Sequence, residues 1–131
     1  MKMTLTMIAM LAMTAAAGDL YTAIGEVESR NNDLAVGDHG RAVGRYQIHM
    51  AVITDVNRIY GTAYSAEDRK DATKAREIME RYLAYWARHY ERTQGKPATD
   101  EIKARIWNGG PYGWRKKATL AYWEKVRNAQ N

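Results

Sequence analysis

The sequence predicts a mainly α-helical domain of the α+β kind, with a small β-hairpin or irregular insertion after its first helix. Three observations carry that expectation. Apolar residues recur at helical spacing in five separate stretches. A run rich in Asn, Asp and Gly interrupts them between Asn31 and Gly44. The chain has 131 residues, enough for one domain around one modest core.

The first helix runs from Asp19 to Ser29, with Leu20, Ile24 and Val27 on one face and Asp19 placed to cap its start. Residues 30–44 are turn-rich, and Gly37, Gly40 and Gly44 offer positions where the backbone can take a positive φ. Ala42-Val43 and Tyr46–Ile48 have enough strand character for a short hairpin. From Ile48 to Tyr60 the positions Ile48, Ala51, Val52, Val56 and Ile59 fit a second helix, stopped by Gly61. A polar connection over 61–70 leads to the longest helix, Asp71 to Gln94. Its stripe of Ala75, Ile78, Met79, Tyr82, Leu83, Trp86 and Tyr90 reads as the spine of the core, and the cations around it as a solvated face. Gly95 and Pro97 break the chain, and Thr99 caps a short helix through Trp107, which "NGGP" at Asn108–Pro111 stops. Thr119 caps a last helix through Asn128, with Leu120, Tyr122, Trp123 and Val126 facing inward.

Ahead of the domain, Lys2 precedes the uncharged, mostly apolar run "LTMIAMLAMTAAA", which ends in small residues. That is the layout of a secretory signal over 1–17 with cleavage after Ala17, leaving a single domain over 18–131 that is secreted or periplasmic. The run is short for a bilayer, so no stable membrane span is expected.

A net charge of +5 favours an anionic partner: nucleic acid, an acidic membrane surface or an anionic cell-wall polymer. With no cysteine, disulfides and cysteine-ligated metals are excluded. His39, His49 and His89 lack metal-ligand spacing, and no metal or cofactor is expected. No glycine-rich phosphate loop follows a strand, and no nucleophile-elbow pattern surrounds Ser29. The basic clusters "RKDATKAR" and "WRKKA" are the case for nucleic acid, but acids are interspersed and no base-stacking platform is evident, so none is expected as partner. The aromatic residues are all Tyr and Trp, which suit amphipathic ligands and half-buried helix packing alike.

Two carboxyl groups stand out. Glu28 closes an apolar helix, where partial burial raises a carboxyl pKa and keeps a proton available near neutral pH. Asp38 lies in a glycine-rich turn open to water and backbone N–H groups, an environment that favours the ionised form. A protonated and an ionised carboxyl group across a cleft is the equipment of glycoside hydrolysis. Most carboxylates in a basic protein are only surface charges, and Glu26 and Asp33 are rivals for the two roles. Helical spacing points Glu26 away from Glu28.

The stretch "VESRNND…GDHGRAVGRYQIH" resembles the active-site region of invertebrate-type lysozymes, in which a Glu-Ser pair ends a helix and an Asp follows in a glycine-containing turn. "IMERYLAYW" is similar to that family's central helix, and "ARIWNGGPYGWRKKATLAYWEKV" to its distal Asn-Gly-Gly-Pro block. A broader likeness runs to goose-type lysozymes and lytic transglycosylases, through Glu28-Ser29, Gly44 to Gln47 and Trp107-Asn108-Gly109. The resemblance implies a lysozyme-like fold and a monomer that cuts peptidoglycan between N-acetylmuramic acid and N-acetylglucosamine. It makes Glu28 the acid and Asp38 the second carboxylate. Ser29, Tyr46, Gln47, Asn108 and Gly109 would line the cleft or position sugar amides and hydroxyls, with Trp107, Tyr112 and Trp114 as stacking surfaces. The chain departs from the family in having no cysteine, Trp107 in place of a His, His49 where a Lys is frequent, and a turn from Asp38 to Tyr46 one residue shorter. A lytic transglycosylase, which needs Glu28 alone, and a non-catalytic wall-binding module stay open as alternatives.

Overall fold

The computed structural model describes residues 18–131; the leader read over 1–17 lies outside the described residues. Among the described residues five α-helices surround one core and a two-stranded antiparallel hairpin is inserted after the first of them. The helices are α1 (Leu20–Ser29), α2 (Met50–Tyr60), α3 (Ala72–Gln94), α4 (Asp100–Gly109) and α5 (Leu120–Gln130), and the strands are β1 (Val36–Gly37) and β2 (Ala42–Val43). No described helix is long and apolar enough to cross a membrane.

Local signals set most helix ends. The carboxylates of Asp19 and Asp71 and the hydroxyl of Thr99 accept backbone N–H groups at the starts of α1, α3 and α4. Gly61 and Gly95 close α2 and α3 in the left-handed conformation. α3 is the spine. It buries Ala75, Ile78, Met79, Tyr82 and Leu83 against Ile24 of α1, Ile53 and Val56 of α2, Ala104 and Ile106 of α4 and Val126 of α5. This apolar burial, without any cross-link, is the main stabilising term. α5 packs along α1, and their far ends are tied by the Gly18 N–H donating to the Gln130 carbonyl at 2.9 Å. That pairing places Tyr122 beside the end of α1.

Several expectations change. β2 pairs with Val36–Gly37 rather than with Tyr46–Ile48, which contributes one bridge, Val43 to Ile48. Strands of two residues carry no alternation to read. Gly37 has an extended backbone, and positive φ falls instead on Arg30, Asn31, Asp38, His39 and Gln47 as well as on Gly40 and Gly44. α2 starts at Met50, and it buries Ile53 while leaving Ala51 exposed. Leu120 is 44% exposed. Thr119 is buried and does not cap α5. Its hydroxyl accepts from Arg105 Nε at 2.8 Å and lies 2.8 Å from the Gly113 and Lys116 carbonyls, holding the loop between α4 and α5.

Candidate active site

α1 ends abruptly. Arg30 and Asn31 both take left-handed backbone conformations, which stops the helix one residue after Ser29. The Ser29 hydroxyl donates to the Arg45 carbonyl at 2.7 Å and accepts the Asn32 N–H at 3.0 Å. Both bonds tie the helix end to the returning chain, and Ser29 is not among the side chains that line the cleft described next. Asp33 is taken by Arg45 in a two-pronged ion pair of 2.7 and 3.2 Å, and Glu26 is exposed on the other side of the helix. Neither rival reaches the cleft.

That cleft, about 270 Å³, is lined by Glu28, Asp38, Ala42, Gln47, His49, Val52, Trp107 and Asn108. Five separate stretches of chain therefore converge on it, and the two carboxyl groups singled out in the sequence share it. The short turn from Asp38 to Tyr46 does seat Asp38 on the cleft.

The two carboxyl groups have different surroundings. Glu28 is half-buried, and burial raises its pKa above the ordinary 4.5 by disfavouring the charged form. The Tyr122 hydroxyl donates to Glu28 Oε2 at 2.8 Å, which favours the ionised form and partly offsets the burial. Burial and the adjacent Glu28 push the Tyr122 hydroxyl well above its usual range, so it remains a donor. With Oε2 occupied, a proton on Glu28 belongs on Oε1, which accepts no hydrogen bond among the described residues. Replacing Tyr122 by Phe removes the one contact that favours the carboxylate. The Glu28 pKa should then rise further, and the alkaline limb of the pH–rate profile should move to higher pH. An unmoved limb would mean that the Tyr122 contact does not tune this group.

Asp38 is exposed and has a left-handed backbone, which Asp tolerates better than most residues. Arg41 Nη2 donates to its Oδ1 at 3.0 Å, and His49 Nε2 lies 3.4 Å from its Oδ2. These two partners hold one carboxylate oxygen each.

The remaining sequence candidates divide. The Gln47 side-chain amide donates to the Ala35 and Gly44 carbonyls at 3.3 and 3.0 Å, and Gly37 leaves the space its Oε1 needs. Gln47 thus braces the hairpin while lining the cleft. Trp107 lines the cleft, donates from Nε1 to the Tyr46 carbonyl at 3.2 Å and stands edge-on to Tyr82. Asn108 is exposed on the rim. Tyr46 is 2% exposed; its ring belongs to the core and only its carbonyl serves the site, through Trp107. Gly109 is a packing glycine, since a Cβ there would lie 2.6 Å from the Thr119 methyl. Tyr112 lies outside the cleft, its hydroxyl 3.4 Å from His89 Nε2 and its ring under the Arg115 guanidinium. Trp114 packs edge-on to Tyr90.

Sequence pattern alone does not single out Tyr122 as the partner of Glu28, or Arg41 and His49 as partners of Asp38. Tyr122 gives a signal only as an inward-facing residue of the last helix. Among the described residues no three His, Asp or Glu side chains are grouped so as to hold a metal ion.

No family model matches the chain. It is similar to a protein named Lysozyme from Magallana gigas, 42% identical over 66 residues. The match covers 50% of this chain and 44% of that relative, so the chain aligns with less than half the relative's length. This similarity is consistent with the resemblance to invertebrate-type lysozymes, and the mainly helical fold with one small antiparallel hairpin agrees with it.

Proposed function

We propose that the protein is a peptidoglycan glycosidase of lysozyme type, acting outside the cytoplasm on the β-1,4 bond between N-acetylmuramic acid and N-acetylglucosamine. The observation that supports this reading most is Glu28: a carboxyl held toward the protonated state by burial, with one oxygen fixed by Tyr122, in a cleft it shares with an exposed carboxylate. In this reading Glu28 Oε1 delivers its proton to the glycosidic oxygen as the bond breaks. Asp38, held by Arg41 and His49, attacks the sugar or activates a water on the opposite side. Trp107 offers an apolar wall and Gln47 and Asn108 offer polar atoms to the sugar's amide and hydroxyl groups. The basic surface would concentrate the enzyme on an anionic wall, with binding that weakens as salt rises.

One observation favours a second reading. Both oxygens of Asp38 already have partners, so a transglycosylase that uses Glu28 alone, with the muramic 6-hydroxyl as nucleophile, fits the same cleft. Mass spectrometry of soluble products from purified peptidoglycan separates the two. Hydrated reducing-end muropeptides, lost in both Glu28→Gln and Asp38→Asn, are expected. Anhydro-muropeptides that persist in Asp38→Asn would assign the transglycosylase instead. No soluble product from the wild type would leave only a binding module.

A further inference from the structure

Beside the cleft lies a second cavity of about 420 Å³, lined by Gly40, Arg41, His49, Met50, Ala51 and Arg69. His49 lines both spaces, which are therefore neighbours. The construction of this cavity differs from that of the cleft, and Arg69 is its unusual member.

Arg69 comes from the 3-10 turn Ala66–Lys70 and is only 9% exposed. Its Nε donates to the Ala66 carbonyl at 2.9 Å, and its Nη1 to the Arg41 and Ile48 carbonyls at 3.1 and 3.0 Å. Those bonds pin the hairpin to the turn and account for part of the guanidinium. They leave Nη2 without a hydrogen bond and the cation without a carboxylate, among the described residues. Nη2 is not sealed from solvent, so it keeps donors free for an anion that enters the cavity. Arg41 adds a second guanidinium, whose charge is shared with Asp38. The start of α2 adds backbone N–H groups that lack intrahelical acceptors, and the His49 side chain does not cap them. Met50 and Ala51 supply a small apolar wall.

We infer that this cavity is a subsite for a carboxylate on the peptide stem that a muramic residue carries, an inference that rests on the function proposed above. The stem of peptidoglycan begins with a methyl-bearing residue and continues with one that has a free carboxylate. A methyl fits against Met50 and Ala51, and a carboxylate meets Arg69 Nη2, Arg41 and the start of α2. The subsite would make the protein prefer glycan that bears peptides over bare glycan.

Two measurements test this. First, cleavage of peptidoglycan fragments is compared with cleavage of the same glycan stripped of peptides by an amidase, for the wild type, Ala51→Glu and Ala51→Gln. Ala51 is exposed in the first turn of α2, where a Glu is compatible with the helix. The wild type should favour the peptide-bearing form in kcat/KM by about tenfold, the scale of one charge-assisted contact. That ratio should fall toward one in Ala51→Glu and fall clearly less in Ala51→Gln, which adds the same bulk to the wall without the charge. Equal ratios in all three proteins, with lysis intact, would overturn the subsite and leave the glycosidase standing. Second, N-acetyl-L-alanyl-D-glutamine, whose α-carboxylate is free and whose γ-amide stands for the next peptide link, is titrated into the protein and followed by NMR at the Arg69 Nε–H and the Met50 and Ala51 amides. Shifts at these groups are expected, about tenfold weaker for the α-amide of the same peptide. Equal binding of the amide would overturn the inference. So would tighter binding of inorganic phosphate, which would make a phosphate-bearing polymer the occupant. The titration needs no catalysis, so it decides the subsite even if no glycan is cut.

Discussion

Replacing Glu28 by Gln lowers glycan cleavage by about 10²- to 10⁴-fold, the contribution of a positioned acid, while making the folded protein more heat-stable at neutral pH. The two effects share one cause. Burial raises the Glu28 carboxyl above its ordinary 4.5 in the folded state. Between that ordinary value and the raised one, the folded protein binds more protons than the unfolded chain. Stability therefore falls as pH rises through this window, and above it the full cost of a buried charge is present. Gln has no charge to desolvate and can still accept the Tyr122 hydroxyl through its carbonyl oxygen. Thermal unfolding of the two proteins should show a higher Tm for Glu28→Gln at pH 7 and no such gain below the ordinary carboxylate range. A lower Tm for the variant at pH 7 would mean that ionised Glu28 is stabilised by the fold, contrary to its proposed use.

The largest loss of stability is expected from Gly44→Ala. Gly44 has φ +84°, and a Cβ there would run into the Arg69 carbonyl. That obstacle is backbone within the 3-10 turn and cannot rotate away. The turn and the hairpin would have to separate, weakening the Arg69 bonds to the Arg41 and Ile48 carbonyls. The expected cost is at least about 4 kcal/mol, read as a shift in the urea midpoint. Gly40→Ala is the control. It has a similar φ of +90° but no atom within 4 Å of where a Cβ would lie, so it should cost only about 1–3 kcal/mol. Equal losses in both variants would mean that the close approach of Arg69 to Gly44 contributes nothing to stability.

The helices were legible because their signals are local. Asp19, Asp71 and Thr99 cap the helices they precede, Gly61 and Gly95 end the ones they follow, and the period of α3 marks its buried face. Glu28 and Asp38 were legible as chemistry because a carboxyl at an apolar helix end and one in a glycine turn imply different surroundings. The parts that escaped depend on residues far apart in the chain. Tyr122 meets Glu28 across 94 positions, and no local pattern announces the pair. Arg69 sits in a polar connection and reads as a surface cation, yet it is buried because the hairpin folds over it. Tyr46 reads, through the resemblance, as a cleft residue, yet its ring fills the core while its carbonyl anchors Trp107. The backbone of Asp38, His39 and Gln47 takes positive φ in place of Gly37, and side-chain hydrogen bonds of Asp38 and Gln47 help hold that geometry.

The proposed chemistry depends most directly on Glu28 holding its proton beyond the ordinary carboxylate range. The measurement is a ¹³C NMR titration of the Glu28 side-chain carboxyl in the wild-type protein, assigned by its absence in Glu28→Gln. The structure predicts a midpoint above 4.5, rising further in Tyr122→Phe. A midpoint at or below 4.5 would mean that Glu28 is already ionised when a glycosidic oxygen needs its proton, and would contradict the assignment of Glu28 as the acid.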